Sequence, residues 1–193
     1  MNNHSSKMRI LIAGPQGSGK TTQAKKLSEK LGYLFIATGD ILREEAKHDT
    51  SEGRALKETM RQGGIANDEI TAKLVASKIK DSNGNGLIMD GFPRRLSQLE
   101  YFDPGFDRVV YLEVPDEEVT GRLLSRGRAD DKPEIISERL KLYHMLTEPV
   151  LDYYQRQGKL LRIDAKQDPD DSDEQSIEKV AEKIEKKIKD IPD

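Results

Sequence analysis

The chain has 193 residues, which suits one globular domain, and its 35% hydrophobic and 35% charged residues predict a soluble protein. A formal net charge of −3 argues against a general nucleic-acid binder, and the absence of cysteine excludes disulfides and thiolate-ligated metal sites. No apolar stretch approaches the roughly 20 residues that a membrane-spanning helix needs, and the polar start lacks a secretory pattern, so we expect a cytoplasmic protein with no membrane partner.

The first predicted elements are a strand, a glycine-rich loop and a helix, at Arg9–Ala13, 14–21 and 22–31. The loop fits the phosphate-binding pattern Gly-x-x-x-x-Gly-Lys-[Ser/Thr] in full. Glycines allow successive N–H groups to converge on phosphate oxygens at the positive end of the following helix. Lys20 would bridge the β and γ phosphates, and the Thr21 hydroxyl would be available to Mg²⁺. The pattern predicts a nucleoside triphosphate site, with a chance strand-to-helix turn as the alternative.

Four more apolar strands follow, separated by segments with helical spacing, at Leu34–Ala37, Leu87–Asp90, 109–114 and 160–163. The alternation predicts an α/β fold of three layers, in which a five-stranded parallel sheet is flanked by helices. Because the carboxyl ends of parallel strands meet at one edge of a sheet, the polar residues that follow these strands should lie beside the glycine loop.

Two stretches differ from this framework. Residues 38–68 are charged and have helical spacing, and we interpret Gly53 and the pair Gly63-Gly64 as breaks that hinge a small helical insertion. Residues 122–139 contain several arginines, together with a glycine and a proline, and predict a short basic loop between two helices. A solvated helix or linker is the alternative for both stretches.

The end of the chain predicts an acidic loop followed by a helix. Residues 168–174 are acidic, and apolar residues then recur at helical spacing between 177 and 188, with Lys and Glu between them. We therefore expect a closing amphipathic helix.

Six arginines accompany Lys20, and they lie after the predicted strand ends or in the basic loop. They are Arg43, Arg94, Arg122, Arg126, Arg128 and Arg139. Guanidinium groups are forked donors suited to phosphate oxygens, and six of them indicate two phosphorylated substrates, because Lys20 and the loop already serve the first. Asp90 ends a strand where phosphate-loop enzymes keep an acid for Mg²⁺, although a strand-terminal aspartate can also simply form a turn.

Five separated blocks resemble adenylate kinase, in the short-lid form of the nucleoside monophosphate kinase family. They are 14–23, Thr38-Gly39-Asp40 with Arg43, Asp90-Gly91-Phe92-Pro93-Arg94 with Gln98, the pair Arg122 and Arg126, and Arg128-Ala129-Asp130-Asp131 followed by Arg139. The blocks occur in the family's order and spacing from residue 8 to about 164. The resemblance implies reversible phosphoryl transfer from ATP to AMP, giving two ADP, with Mg²⁺.

The resemblance also implies an organisation. One kinase domain would comprise a core (8–37, 68–121 and 140–193), an insertion that binds the nucleoside monophosphate (about 38–67) and a short lid (about 122–139). ATP, AMP and ADP would be the partners, with no nucleic acid, and a monomer is favoured. A lid this short lacks the zinc-binding extension of longer forms, so structural zinc is not expected.

Residue roles follow from the resemblance, position by position. ATP binding falls to Gly14, Gln16, Gly17, Ser18, Gly19, Lys20, Thr21, Thr22, Arg122 and Arg126. AMP binding falls to Thr38, Gly39, Arg43, Ile65, Ala66, Gly91, Arg94, Gln98, Arg128 and Arg139. The catalytic residues would be Lys20, Arg94, Arg126, Arg128 and Arg139, and the magnesium site would use Thr21 and Asp90, partly through water.

Two alternatives stay open from the sequence. A UMP/CMP kinase would share the phosphate loop and the arginines, but Thr38 and Gln98 favour adenine, since a glutamine amide offers the donor and acceptor that suit an adenine edge. A phosphate-loop switch needs fewer arginines of its own. Thr21 departs from the family, which often has glycine there, and we expect Asp130 and Asp131 to steer the lid arginines by ion pairing.

Overall fold

The computed structural model describes residues 7–80 and 86–190 of the chain. The strands in these ranges are β1 (Arg9–Ala13), β2 (Leu34–Ala37), β3 (Leu87–Asp90), β4 (Arg108–Glu113) and β5 (Leu160–Asp164). The α-helices are α1 (Lys20–Leu31), α2 (Thr38–Glu45), α3 (Ser51–Arg61), α4 (Asp68–Lys80), α5 (Ser97–Tyr101), α6 (Asp116–Arg126), α7 (Pro133–Leu142), α8 (Glu148–Arg156) and α9 (Asp173–Lys189). A π-helical turn (Tyr143–Thr147) joins α7 to α8.

All five strands form one parallel sheet in the order β2-β3-β1-β4-β5, which confirms the predicted fold class. β1 lies between β3 and β4, so the chain leaves the centre of the sheet in both directions. Such a reversal of strand order opens a crevice beyond the carboxyl ends of the central strands. The glycine loop after β1 and Asp90 at the end of β3 meet at this crevice.

The helices cover both faces of the sheet, as the period-two pattern of the strands requires. Ile10 and Ile12 of β1 pack with apolar residues of α1 and α9 on one face. Leu11 and Ala13 face the other way and pack with α4 and α8. A third and smaller cluster, formed by Leu42 of α2, Leu56 of α3 and Ala66, lies apart from these two.

β1, β2 and β3 have the predicted boundaries, whereas β4, β5 and α1 differ from the prediction by one or two residues. β4 begins one residue earlier than expected, and α1 begins at Lys20 rather than at residue 22. The larger difference is at α9, which starts at Asp173, inside the predicted acidic loop. Ser172 explains this start, because its side chain accepts from the N–H of Gln175 while the Gln175 side chain accepts from the Ser172 N–H, a capping box.

The prediction that Gly53 breaks the helical pattern is wrong. Gly53 is buried within the first turn of α3, and its N–H donates to Thr50 Oγ1 at 3.0 Å. A Cβ there would lie 2.2 Å from the carbonyl oxygen of His48. The glycine therefore allows a close approach between α3 and the segment after α2. Gly63 and Gly64 do lie between helices, after α3 and before α4, as predicted.

We expect Gly53→Ala to lower the free energy of unfolding by about 1 to 3 kcal/mol, because the added methyl collides with backbone rather than with a movable side chain. Gly121→Ala in α6 is the matched control, since a Cβ there meets nothing within 4 Å. It should be neutral or stabilise by up to about 1 kcal/mol, because alanine is the better helix former. Urea unfolding followed by circular dichroism measures both, and equal stability of the two variants would contradict the packing account.

Within residues 7–80 and 86–190, none of the helices has the length and apolar character needed to cross a membrane.

Candidate functional site

The glycine loop packs tightly against its neighbours, and two of its glycines are required by that packing. Gly14 and Gly17 have positive φ values of 146° and 87°. A Cβ on Gly14 would lie 2.9 Å from the carbonyl oxygen of Leu112 in β4, and one on Gly17 would lie 2.9 Å from Leu123 Cγ in α6. Only glycine combines this conformation with this proximity, so the loop is held in one shape at the start of α1.

Lys20 and Thr21, the first residues of α1, face the carboxyl ends of β1 and β3. Lys20 Nζ donates to the carbonyl oxygen of Pro15 at 2.7 Å, which curls the loop around its side chain. Burial lowers the Lys20 pKa to about 8, the Asp90 carboxylate opposes this shift, and the charges of Arg94 and Arg126 add to it. Thr21 Oγ1 donates to Asp90 Oδ2 at 2.6 Å, so a hydroxyl and a carboxylate meet beside the lysine.

All seven predicted cations line one cleft of about 420 Å³ at this edge of the sheet. They are Lys20, Arg43, Arg94, Arg122, Arg126, Arg128 and Arg139. The glycine loop forms one wall of the cleft and the start of α2 forms the opposite wall. Asp40, Asp90 and Asp130 also line the cleft, but cations outnumber them, so the lining carries a net positive charge that attracts polyanionic ligands.

The wall opposite the glycine loop carries polar groups aimed at a ligand. Thr38 is buried at the start of α2, and its hydroxyl has no hydrogen-bond partner among the described residues. Gly39 leaves room for the Arg43 guanidinium, whose nitrogens would lie 3.3 Å from a Cβ at this position. Buried Gln98 uses its Oε1 to accept from the Arg94 N–H at 2.7 Å. Because a buried hydroxyl without a partner is costly, Thr38 indicates a ligand on this side of the cleft.

Arg94 is held in the cleft through both its backbone and its side chain. Its backbone N–H is bound by Gln98, its carbonyl oxygen accepts from Thr147 Oγ1 at 2.8 Å, and its Nε donates to the Gly91 carbonyl at 3.2 Å. Burial lowers the Arg94 pKa, Asp90 opposes this shift, and the positive charges of Arg139 and Arg43 add to it. A partly buried guanidinium among other cations is stabilised by an anion, so Arg94 is suited to bind a phosphate.

Two aspartates of the loop between α6 and α7 hold arginines at the end of α6, in the loop and in α7, as the sequence predicts. Arg126 donates to both oxygens of Asp131, at 2.9 and 2.7 Å, and the Arg128 N–H donates to the same carboxylate at 3.1 Å. Arg139 pairs with Asp130 and lies 3.6 Å from Asp131. The Asp131 side chain is fully buried (0% exposed), and its hydrogen bond from Arg126 holds its pKa below the usual value.

Arg122 is held by a network that sequence reasoning missed. Its guanidinium pairs with Glu118 one turn earlier in α6 and donates to the Ala165 carbonyl at 3.1 Å, in the segment that follows β5. Glu118 also accepts from the Gln167 N–H at 2.9 Å. The spacing of Glu118 and Arg122, four residues apart on a helix, is the only sequence signal for this pair.

The structure brings nearly all the predicted site residues to the cleft. Ser18 and Gly14 are the exceptions: Ser18 is buried inside the glycine loop, and Gly14 lines a smaller apolar cavity of about 60 Å³ behind it. Some residues that line the cleft were not predicted, among them Lys25, Met60, Gly64 and Thr71. None of these stands in a phosphate-binding pattern.

Comparison with known proteins agrees with the geometry. Residues 12–159, more than half of the chain, match the family model for adenylate kinase. An adenylate kinase of Synechococcus sp. (strain WH7803) is 40% identical over 166 residues, which cover 82% of this chain and 91% of that protein. An adenylate kinase of Micrococcus luteus is 41% identical over 184 residues, covering 89% and 90%. One of Prochlorococcus marinus (strain MIT 9515) is 41% identical over 166 residues, covering 82% and 91%.

Proposed function

The chain belongs to the adenylate kinase family and is a nucleoside monophosphate kinase that transfers a phosphoryl group from ATP to AMP; we propose that the reaction takes place in the cation-lined cleft. ATP would lie on the wall formed by the glycine loop, with Lys20 at its β and γ phosphates and Arg122 beside it. AMP would lie on the opposite wall, between Arg43, Arg94 and Gln98.

The observation that carries this assignment is the gathering of seven cations around one cleft with two different walls. One wall is formed by the phosphate-binding loop. The other carries the buried Thr38 hydroxyl and the buried Gln98 amide, and the phosphate-binding pattern does not account for either group. A phosphate-loop switch needs one nucleotide and one transition-state arginine, which leaves the second wall unexplained. Two nucleotides facing each other explain both walls.

The chemistry then requires little from the protein beyond alignment and charge. A phosphate oxygen of AMP attacks the γ phosphorus of ATP, and the bond from that phosphorus to the β–γ bridging oxygen breaks, which leaves ADP on each wall. The attacking group is already an oxyanion, so no general base is needed. Lys20, Arg94, Arg126, Arg128 and Arg139 would neutralise the charge that spreads over the transferring group and exclude water from it.

The residues near the loop fit a magnesium ion. Thr21 Oγ1 and Asp90 Oδ2, 2.6 Å apart, offer the hard oxygen donors that Mg²⁺ prefers, directly or through water. Mg²⁺, when bound, would neutralise charge on the β and γ phosphates. The described ranges hold no cluster of three or more His, Asp or Glu that would ligate a metal alone, which suits an ion carried largely by nucleotide phosphates.

The division into core, insertion (about 38–67) and lid (about 122–139) is part of the proposal. Its support is the separate small core of the insertion and the position of residues 127–132 between α6 and α7. A monomeric state and a cytoplasmic location also stay predictions from the sequence.

Product analysis tests the function and the acceptor base together. Purified protein is incubated with MgATP and, in separate reactions, AMP, UMP, CMP and GMP, and the nucleotides are resolved by chromatography. We expect ADP to form from AMP far faster than any diphosphate forms from the other acceptors. If AMP fails to react, and fails to bind at millimolar concentration with an ATP analogue present, the two-nucleotide assignment is wrong.

The lowered pKa of Lys20 predicts how ATP binding depends on pH. In the free protein Lys20 loses its proton near pH 8, whereas phosphate contact would raise its pKa in the complex. Affinity for MgATP should therefore be greatest below about pH 8 and fall as pH rises through it, by up to about tenfold per pH unit. Calorimetry between about pH 7 and pH 9.5 measures the profile. In Lys20→Arg, whose guanidinium keeps its proton, the affinity for MgATP should not change across this pH range. If the affinity of the wild type did not change either, the placement of Lys20 at the ATP phosphates would be wrong.

A further inference from the structure

Arg95 follows Arg94 in the chain but lies behind the wall of the cleft rather than in it. One terminal nitrogen of its guanidinium donates to the carbonyl oxygens of Ile65 and Ala66, at 3.3 and 3.2 Å. Its Nε forms an ion pair with Asp68 Oδ1 at 2.9 Å. The Arg95 side chain is only 29% exposed and that of Asp68 only 16% exposed, so water screens the pair weakly.

Asp68 is itself fixed from a second direction. Ser97 Oγ, at the start of α5, donates to Asp68 Oδ2 at 2.6 Å. Asp68 is the first residue of α4, where a carboxylate also interacts favourably with the helix dipole. Arg95, Asp68 and Ser97 therefore tie the segment after β3 to the point where the insertion returns to the core.

The two carbonyls that Arg95 holds belong to residues that line the cleft on the wall with Thr38 and Gln98. A trans peptide group is planar, and its N–H points opposite its carbonyl. With the Ile65 and Ala66 carbonyls turned toward Arg95, the N–H groups of the residues that follow them point away from it. Arg95 thus sets the orientation of two consecutive peptide groups at this wall.

We propose that Arg95 is a positioning residue for the nucleoside monophosphate, which fixes the Ile65 and Ala66 backbone and so sets affinity for AMP and discrimination between bases. This inference rests on the proposed assignment of this wall to AMP. The neighbours of Arg95 have different proposed roles, because Arg94 would contact the AMP phosphate and Gln98 would contact the base. Arg95 does not line the cleft, so its loss should affect AMP binding much more than the transfer step.

Arg95→Met tests the proposal, because methionine keeps an apolar stem and removes every donor. We expect the KM for AMP to rise about tenfold, the kcat to stay within about threefold, and the KM for ATP to stay within about twofold. The ratio of kcat/KM for AMP over that for UMP should fall. Arg95→Lys should give an intermediate KM for AMP, since a single ammonium can pair with Asp68 but does not reproduce the guanidinium fork.

Arg61→Met is the matched control, because Arg61 is an exposed arginine of the insertion whose ion pair within the described part of the chain is with Glu58, three residues earlier. It should leave all three constants within about twofold of wild type. Thermal unfolding of every variant separates positioning from general destabilisation. If Arg95→Met does not fold, Arg95→Lys and Asp68→Asn carry the test, and both should raise the KM for AMP selectively.

The possible outcomes are distinct. A wild-type protein that does not phosphorylate AMP would overturn the proposed function itself. Normal wild-type activity together with an unchanged KM for AMP in Arg95→Met would overturn only the role of Arg95. A lowered melting temperature with equal changes in both KM values would do so as well, because it would show a structural role without selectivity for AMP.

Discussion

Arg94→Ala is expected to lower kcat/KM for AMP by about 10³ to 10⁵, the range found for arginines that stabilise a transferring phosphoryl group. The fold should survive this change. The Arg94 side chain is partly buried, its pKa is lowered chiefly by desolvation, and the attraction of Asp90 opposes the repulsion from Arg139 and Arg43, so its removal should cost the free folded protein little. We therefore expect the main effect on catalysis, because the phosphates of the bound nucleotides would pair with the Arg94 charge.

Steady-state kinetics with MgATP and AMP measures the loss, and circular dichroism with thermal unfolding checks the fold. Arg54→Ala is the control, since Arg54 is an exposed arginine of α3 that pairs with Asp49 away from the cleft. It should change kcat/KM by less than about twofold. Arg128→Ala should resemble Arg94→Ala in the size of its effect. A loss below tenfold in both cleft variants, with normal folding, would contradict their assigned roles.

Arg43 and Arg94, two of the arginines proposed for the site, could be placed from the sequence because they stand shortly after strand ends. The strands are short apolar runs, so periodicity predicts the strands, and their ends predict these two positions. β2 and β3 were predicted with their observed boundaries. The glycine loop needs no tertiary information either, because its residues are neighbours in the chain.

The sequence says much less about contacts between distant segments. Nothing in the local pattern around Arg95 pairs it with carbonyls 29 and 30 residues earlier in the chain. Gly53 was misread for the same reason, because a glycine that breaks a helix and one that admits a neighbouring backbone are alike in sequence. The sequence also gives no sign that Glu118 accepts from the Gln167 N–H, because the two residues are 49 positions apart. Positioning residues are therefore the part of the site that needs the structure.

Asp131 combines both kinds of information, since its pairing with arginines was predicted and its complete burial was not. Its carboxylate accepts two hydrogen bonds from Arg126 and one from the Arg128 N–H, and Arg139 lies 3.6 Å away. Three of the proposed catalytic residues thus depend on one buried group. Asp130, by contrast, is 41% exposed and pairs with Arg139 alone among them. The two adjacent aspartates form a natural pair for comparison.

Asp131 also makes a specific contribution to stability at different pH values. Its pKa in the folded protein is lowered, chiefly by the hydrogen bond from Arg126, below the ordinary value of 3.8. The carboxylate therefore stabilises the fold fully above that ordinary value, and the contribution is lost as pH falls through the lowered pKa. Urea unfolding should show a constant difference between wild type and Asp131→Asn from neutral pH down to about pH 5, which shrinks below about pH 4.

Asp131→Ala is expected to lower the free energy of unfolding by about 1 to 3 kcal/mol and kcat/KM by about 10² to 10³, because it removes a buried acceptor of three hydrogen bonds and frees the arginines proposed to align on the phosphoryl group. Asp130→Ala should cost about tenfold at most in kcat/KM, since Arg139 keeps Asp131 nearby and Asp130 is partly screened by water. Kinetics at saturating MgATP, together with urea unfolding, distinguishes the two effects. If Asp131→Ala were destabilised but lost less than tenfold in kcat/KM, the buried carboxylate would stabilise the lid without placing its arginines, and alignment would have to come from the nucleotides themselves.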